Sequence, residues 1–116
     1  MPDLVITEEE LEDGVVLLEA SGFLDAYTYV ELEEKIHQLI DRECYRIIVQ
    51  LDKLTYMSSA GAGVFIGANQ MTKDAGGKLV ILNPTENVYE VFKLLGLTQI
   101  FSFAKSLENA KKALKN

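Results

Sequence analysis

The chain of 116 residues is 48% hydrophobic and carries 11 Lys and Arg against 18 Asp and Glu, a formal net charge of −7. This length is typical of one domain, predicted to span residues 1–116, with enough buried surface for a core. The acidic balance and the lack of a basic stripe exclude nucleic acid as a direct partner. The single cysteine, Cys44, excludes an internal disulfide and a multi-cysteine zinc site.

The sequence also predicts a cytoplasmic protein without membrane contact. No apolar stretch approaches the roughly 20 residues that a membrane-spanning helix needs. The first residues, Met1-Pro2-Asp3-Leu4, lack the positive and apolar segments of a secretory signal.

The chain begins with a predicted hairpin and an amphipathic helix. Residues 3–8 and 14–21 are short apolar segments joined by an acidic turn, which is typical of an antiparallel hairpin at a sheet edge. Apolar residues then recur at helical spacing and predict a helix over residues 26–41. They are Tyr29, Leu32, Ile36, Leu39 and Ile40.

The middle of the chain predicts a buried strand, a loop and a second helix. Residues 47–51 form a β-branched run, and a loop follows through residues 54–57. Residues 59–74 contain glycines, each of which lowers helix propensity by about 1 kcal/mol relative to alanine, so a strand is an alternative there. A helix is favoured because crossovers between parallel strands usually carry one and small residues permit close approach to the sheet. Gly76 and Gly77 predict its left-handed stop.

Residues 79–82 predict another buried strand, followed directly by a helix start. Asn83 is the predicted N-cap, with Pro84 and Glu86 at the first and third helical positions. Gly96 is predicted to end this helix. Its predicted apolar face consists of Val88, Val91, Phe92 and Leu95.

The C-terminal segment predicts an edge strand and a last helix. Ile100 and Phe101 form the short apolar stretch of the strand, and Ser106 is the predicted cap of the helix. Leu107, Ala110 and Leu114 are predicted to face inward. Strands alternating with helices indicate a small layered α/β domain.

The residues give little support for nucleophilic catalysis. A Ser–His–Asp triad would need His37, the sole histidine, which falls on the predicted solvated face of the first helix. The nucleophile elbow G-x-S-x-G is broken, because Met57 stands where its first glycine belongs. His37 is therefore predicted to be a surface residue.

Metal binding and cysteine chemistry are no better supported. Glu31, Glu33 and Glu34 lie beside Lys35 on an open helix face, which predicts solvation rather than metal ligation. Cys44 lacks the C-x5-R spacing of a phosphate-cradling loop, so a buried or half-buried thiol at a strand start is favoured.

Nucleotide and phosphoaspartate sites are not predicted either. The spacing Gly61-x-Gly63-x-x-x-Gly67 resembles a dinucleotide-binding turn, but it does not follow its strand directly and no acid stands about 20 residues beyond it. Helix–sheet packing explains these glycines more simply. Asp52 ends a strand without the nearby acidic pair that a phosphoacceptor aspartate needs. The sequence therefore predicts no cofactor and no metal.

Ser58 and Ser59 precede the second helix and have two interpretations. One serine can simply be the N-cap. Alternatively, one can carry a phosphate, which the free N–H groups and positive end of a helix tolerate. A phosphoserine adds about −1.5 to −2 charges, enough to expel a partner that docks on the unmodified surface.

Several motifs together resemble STAS domains of the anti-sigma factor antagonist type. The central one is Leu51-Asp52 followed by residues 56–64, Tyr-Met-Ser-Ser-Ala-Gly-Ala-Gly-Val. Residues 22–26, Gly-Phe-Leu-Asp-Ala, resemble the second marker, before the first helix. Residues 77–83 and 91–97 also fit, so the likeness covers nearly the whole chain.

The resemblance implies a mixed sheet of four to five strands with helices mainly on one face, and a binding protein rather than an enzyme. In this family the unphosphorylated antagonist binds an anti-sigma factor, often a serine kinase of the histidine-kinase-like ATPase superfamily, and thereby frees a sigma factor. The kinase inactivates the antagonist by phosphorylating one serine, and a PP2C-type phosphatase restores it.

By motif, the implied phosphoacceptor is Ser59, directly before Ala60 and Gly61. The family often has aspartate immediately before the acceptor, whereas this chain has Ser58, which leaves Ser58 as a competing acceptor. The implied partner-binding residues are Asp25, Thr28, Met57, Ser58, Ser59 and Gly61. The alternative is a STAS ligand-sensing or scaffold module that acts in a larger signalling complex without phosphorylation.

Overall fold

A computed structural model describes residues 3–115; Met1, Pro2 and Asn116, at the ends of the predicted domain, lie outside the described residues. Within residues 3–115 the protein forms a mixed sheet of six strands and four α-helices. The predicted α/β class is confirmed, and the strand count of four to five is corrected to six.

The predicted N-terminal hairpin is confirmed, with both strands longer than expected. Strand β1 (Leu4–Glu10) runs antiparallel to β2 (Val15–Leu24), and a 3-10 turn over Glu12–Gly14 connects them. Their register runs from Leu4 opposite Gly22 to Glu10 opposite Val16. Strand β1 lies at one edge of the sheet.

Helix α1 (Tyr29–Asp41) begins three residues later than the predicted range of 26–41. The delay has a local cause, because the side chain of Asp25 accepts hydrogen bonds from the N–H groups of Tyr27 and Thr28 and holds them in a turn. The predicted amphipathic face is confirmed, since Leu32, Ile36 and Leu39 are buried.

The central crossover follows the predicted pattern. Strand β3 (Arg46–Gln50) leads through a short fourth strand to helix α2 (Ser59–Asp74) and then to β5 (Lys78–Leu82). Strand β3 runs parallel to both β2 and β5. Helix α2 has the predicted bounds, so the strand alternative for this segment is excluded.

The predicted loop at residues 54–57 is instead strand β4 (Leu54–Met57). Leu54 and Met57 are buried while Thr55 and Tyr56 are exposed, so the segment lacks the alternating pattern that identifies a strand. It is a strand because it pairs in parallel with the end of β2, a contact that the local sequence does not encode.

Helix α3 (Glu86–Leu94) is capped by Thr85, which corrects the prediction of Asn83. The Thr85 backbone is extended and its Oγ1 accepts from the Val88 N–H at 3.4 Å, whereas Asn83 has a left-handed φ of 54°, outside the extended backbone typical of an N-cap. Pro84 therefore precedes the cap, and Glu86 is the first helical residue instead of the third. The helix face is confirmed at Val88 and Phe92, which are buried, and at the partly buried Val91; Leu95 is 45% exposed.

The last strand, β6 (Ser102–Ala104), lies just after the predicted Ile100-Phe101 stretch and pairs in parallel with β5. Helix α4 (Leu107–Leu114) follows and is capped as predicted, since the Ser106 Oγ accepts from the Asn109 N–H at 3.1 Å. Its predicted inward residues pack against the sheet, with Ala110 and Leu114 buried and Leu107 partly buried.

The helices lie mainly on one face of the sheet, as expected. Helices α1, α2 and α3 share a core cluster with one set of strand side chains, including Leu18, Ile47 and Ile81. The alternate strand residues Ile48 and Val80 point to the other face, where α4 covers them. Strand β3 is therefore buried on both faces, as its β-branched run predicts.

Only one glycine of α2 is explained by helix–sheet packing. A Cβ on Gly61 would lie 2.5 Å from the Leu24 carbonyl oxygen, whereas a Cβ on Gly63 or Gly67 would meet nothing within 4 Å. The prediction of close packing is thus confirmed at Gly61 and wrong at the other two. At the far end of the helix, Gly76 is the left-handed residue, with a φ of 86°.

Candidate functional site

Parallel pairing of β2 with β4 brings two distant segments together. Leu24 lies opposite Met57 in the register, and the Ser58 N–H donates to the Leu24 carbonyl at 2.9 Å. Asp25 and Ser58 therefore leave neighbouring strands at the same edge of the sheet. Helix α2 starts at this point, so its N-terminal N–H groups belong to the same region.

The two serines have different roles at the start of α2. Ser58 is the N-cap, with extended backbone and an Oγ that accepts from the Gly61 N–H at 3.2 Å. Ser59 is the first helical residue and is exposed. Within residues 3–115 no hydrogen bond engages the Ser59 hydroxyl, so its oxygen is open to solvent while that of Ser58 serves the cap.

Asp25 and Thr28 form a closed turn beside these serines. The Asp25 Oδ1 accepts from the N–H groups of Tyr27, at 2.9 Å, and Thr28, at 3.1 Å. The Thr28 Oγ1 accepts from the Asp25 N–H at 3.0 Å and donates to the Phe23 carbonyl at 2.9 Å. The hydrogen bond from the Tyr27 N–H, followed by those from Thr28, lowers the pKa of Asp25, so the carboxylate carries its charge at neutral pH.

The six predicted partner-binding residues differ in exposure. Ser59 is exposed and Asp25 and Ser58 are half-buried, whereas Thr28, Met57 and Gly61 are buried. The buried residues cannot offer a large contact area. They shape the site instead: Thr28 closes the turn, Met57 anchors the end of β4, and Gly61 admits the Leu24 backbone.

An apolar groove next to the serines was not predicted from the sequence. It encloses about 360 Å³ between the start of α2 and the end of α3, and its walls include Tyr56, Ser59, Val91, Leu94 and Leu95. The sequence predicts Leu95 on an apolar, inward helix face and residue 56 in a loop. One signal was present: Leu94 is a large apolar residue that falls outside the predicted apolar face of this helix.

The residues rejected as catalytic or metal-binding lie where the sequence predicted. His37, Glu31, Glu33 and Glu34 are exposed on α1, and Cys44 is a half-buried free thiol just before β3. Among residues 3–115, no group of three or more His, Cys, Asp and Glu side chains is arranged to hold a metal ion. In the same range no helix has the length and hydropathy needed to cross a membrane.

Comparison with known proteins identifies relatives over most of the chain. BtrV of Bordetella bronchiseptica is 30% identical over 103 residues, which cover 89% of each chain. The anti-sigma F factor antagonist of Paenibacillus polymyxa is 28% identical over 104 residues, again 89% of each chain. The structure of the anti-sigma factor antagonist SpoIIAA in its unphosphorylated form is 24% identical, covers 97% of this chain and 98% of its own, and superposes with a TM-score of 0.81.

The structure of SpoIIAA, described as a Bacillus cell fate determinant, is also known in its phosphorylated form. That form is 24% identical, covers 94% of this chain and 99% of its own, and superposes with a TM-score of 0.73. These likenesses show that the six-stranded sheet and its helices form the same fold. The family model of the STAS domain matches residues 8–110, from within β1 to within α4. This chain therefore belongs to the STAS domain family, alongside relatives named as anti-sigma factor antagonists.

Proposed function

We propose that this protein is an anti-sigma factor antagonist controlled by phosphorylation of Ser59. In its unphosphorylated form it binds an anti-sigma factor, a serine kinase of the histidine-kinase-like ATPase type, and so releases a sigma factor. The kinase transfers a phosphoryl group to the Ser59 hydroxyl, and a PP2C-type phosphatase removes it. The protein itself performs no catalysis in this scheme.

The observation that carries the proposal is the difference between the two serine hydroxyls. The Ser59 oxygen is exposed at the first turn of α2, where a kinase can reach it. The Ser58 oxygen accepts the capping hydrogen bond from Gly61, and a phosphoryl group on it would have to displace that bond. The names of the relatives and the existence of a phosphorylated form of SpoIIAA agree with this assignment.

The free protein can tolerate a phosphate at Ser59 without unfolding. The N-terminus of α2 offers unpaired N–H groups and the positive end of the helix dipole, both of which favour an anion. A partner that covers Ser59 changes this balance, because burying a dianion without a counter-charge costs several kcal/mol. The neighbouring Asp25 is itself anionic and the chain carries a net charge of −7, so the protein supplies little compensation.

The first test compares Ser59→Ala and Ser59→Asp as baits in pull-downs from native lysate. We expect Ser59→Ala to retain an ATPase-fold serine kinase that wild type also retains, and Ser59→Asp to lose it. Gln70→Glu is the matched control, since it adds one negative charge to an exposed position of the same helix. Equal retention by the alanine and aspartate variants would contradict the proposed switch and favour the scaffold alternative.

A second test identifies the acceptor directly. The purified kinase and ATP should phosphorylate wild type and Ser58→Ala at Ser59, as mapped by mass spectrometry, and leave Ser59→Ala unmodified. Incorporation into Ser59→Ala at Ser58 would assign the switch to the other serine.

A further inference from the structure

We propose that the anti-sigma factor seats an apolar side chain in the groove formed by Tyr56, Val91, Leu94 and Leu95. This inference rests on the proposed function, since the same partner that is sensitive to Ser59 would occupy the groove. It assigns binding energy to the C-terminal end of α3, where none of the predicted site residues lies.

The groove residues are exposed although they are large and apolar. Leu94 is 78% exposed, Tyr56 51% and Leu95 45%. Removing these three side chains from water would lower the free energy. The fold leaves them together at one opening rather than scattered, and clustered exposed apolar side chains mark interaction sites. Phe23, 47% exposed, stands edge-on to the Tyr56 ring at 6.2 Å and extends the apolar surface.

The chemistry of the walls specifies the occupant. No charged residue lines the groove, whose remaining wall is formed by Met57 and the two serines. An ionised side chain seated against Val91, Leu94 and Leu95 would lose hydration with no oppositely charged side chain to pair with, so the occupant at this end of the groove is apolar. Large apolar side chains centred in such pockets supply most of the binding energy of protein interfaces.

The groove is continuous with the Ser59 switch. Ser59 forms part of its wall, so a phosphoryl group on that hydroxyl would lie directly beside the bound partner side chain. The dianion would then face an apolar side chain and an uncharged groove. Occupancy of the groove by the partner therefore explains why the modification excludes the partner.

The test uses the serine kinase that the pull-downs with the Ser59 variants identify, in purified form. Titration calorimetry measures its affinity for wild type, Leu94→Ala, Leu94→Gln and Ile100→Ala. Both Leu94 variants should bind about tenfold more weakly or worse. Ile100→Ala should bind like wild type, because Ile100 is 61% exposed but lies in a different cleft with Asn69 and Lys73. Unfolding in urea should be unchanged for all three, which separates lost contacts from lost folding.

The outcomes distinguish the two proposals. If Ser59→Asp loses the kinase while both Leu94 variants bind like wild type, the groove assignment is overturned and the switch stands. If neither Ser59→Asp nor the Leu94 variants change the affinity, both proposals fail. A dimer of the free chain in analytical ultracentrifugation that Leu94→Gln dissociates would make a second copy the occupant and overturn the assignment to the kinase.

Discussion

At the scale of single residues, Ser58 and Ser59 show how one position along the chain changes the role of a side chain. Both are serines at the start of a helix, and the sequence left either of them as cap or acceptor. The backbone decides between them: Ser58 is extended, with its side chain directed at the Gly61 N–H, whereas Ser59 already belongs to the helix. The sequence motif alone implied Ser59, and the capping geometry gives that preference a physical reason.

This difference predicts unequal effects on stability. Ser58→Ala should lower the free energy of unfolding by about 1 kcal/mol, because the first turn of α2 loses its side-chain acceptor. Ser59→Ala should change it by less than about 0.5 kcal/mol, since its hydroxyl makes no capping bond. Urea denaturation followed by circular dichroism measures both. A larger loss for Ser59→Ala than for Ser58→Ala would show that the cap is assigned to the wrong serine.

At the scale of elements, helix α2 docks on the sheet through its first turn. Gly61 lies against the Leu24 backbone, so the helix start, β2 and β4 meet without room for a side chain. The sequence predicted a helix with close packing at every glycine. It could not tell that Gly63 and Gly67 face open space, because glycine spacing carries no information about which side of the helix meets the sheet.

The close contact at Gly61 and the open space at Gly63 predict that replacing each glycine with alanine changes the stability in opposite directions. Gly61→Ala should destabilise the fold by about 1–3 kcal/mol, because its Cβ would overlap the Leu24 carbonyl oxygen at 2.5 Å. Gly63→Ala should stabilise it by about 0.5–1 kcal/mol, because alanine favours the helix and its Cβ is unobstructed. Thermal and urea unfolding of both variants give the two signs. If Gly63→Ala destabilised the fold, the prediction that a Cβ at this position is unobstructed would be wrong.

At the scale of the whole molecule, ion pairs connect the edge strand β1 to helix α1 and the residue that follows it. Glu8 on β1 contacts Arg42 just after α1 at 2.7 Å, and Lys35 of α1 at 3.4 Å. Hydrogen bonding from Arg42, and then from Lys35, lowers the pKa of Glu8 below its ordinary value of 4.5, while partial burial opposes the shift. The residues involved are 27 to 34 positions apart, so hydrophobic periodicity gives no indication of the contact.

This lowered pKa predicts a pH-dependent stability difference. Because the unfolded chain holds the Glu8 proton more tightly than the folded chain, the contribution of Glu8 is complete above pH 4.5 and is lost as the pH falls through the folded value. Glu8→Gln should therefore be less stable than wild type at pH 7, by about 0.5–1 kcal/mol, and the difference should shrink in acid. Urea unfolding at a series of pH values measures it.

The control for this prediction is Glu9→Gln, which removes the same charge from an exposed neighbour for which the described part of the chain shows no salt bridge. It should change stability less at pH 7. A difference between Glu8→Gln and wild type that grows as the pH falls would contradict the assigned cause. Added salt should reduce the effect, because the pair is partly exposed to solvent.

The amino-acid sequence by itself determined the α/β class, the order of most helices and strands, the bounds of α2 and, through its motifs, the resemblance to STAS domains. These features follow from local periodicity, capping residues and short motifs, all of which act over a few residues. The loop prediction failed because strand β4 exists only through its pairing with the distant β2. Leu95, predicted to face the core, is the C-cap of α3 and is 45% exposed. Only the tertiary structure opened the groove at Leu94, and it also gave the physical reason for the implied grouping of Asp25 with the serines, since parallel pairing of β2 with β4 joins segments about thirty residues apart.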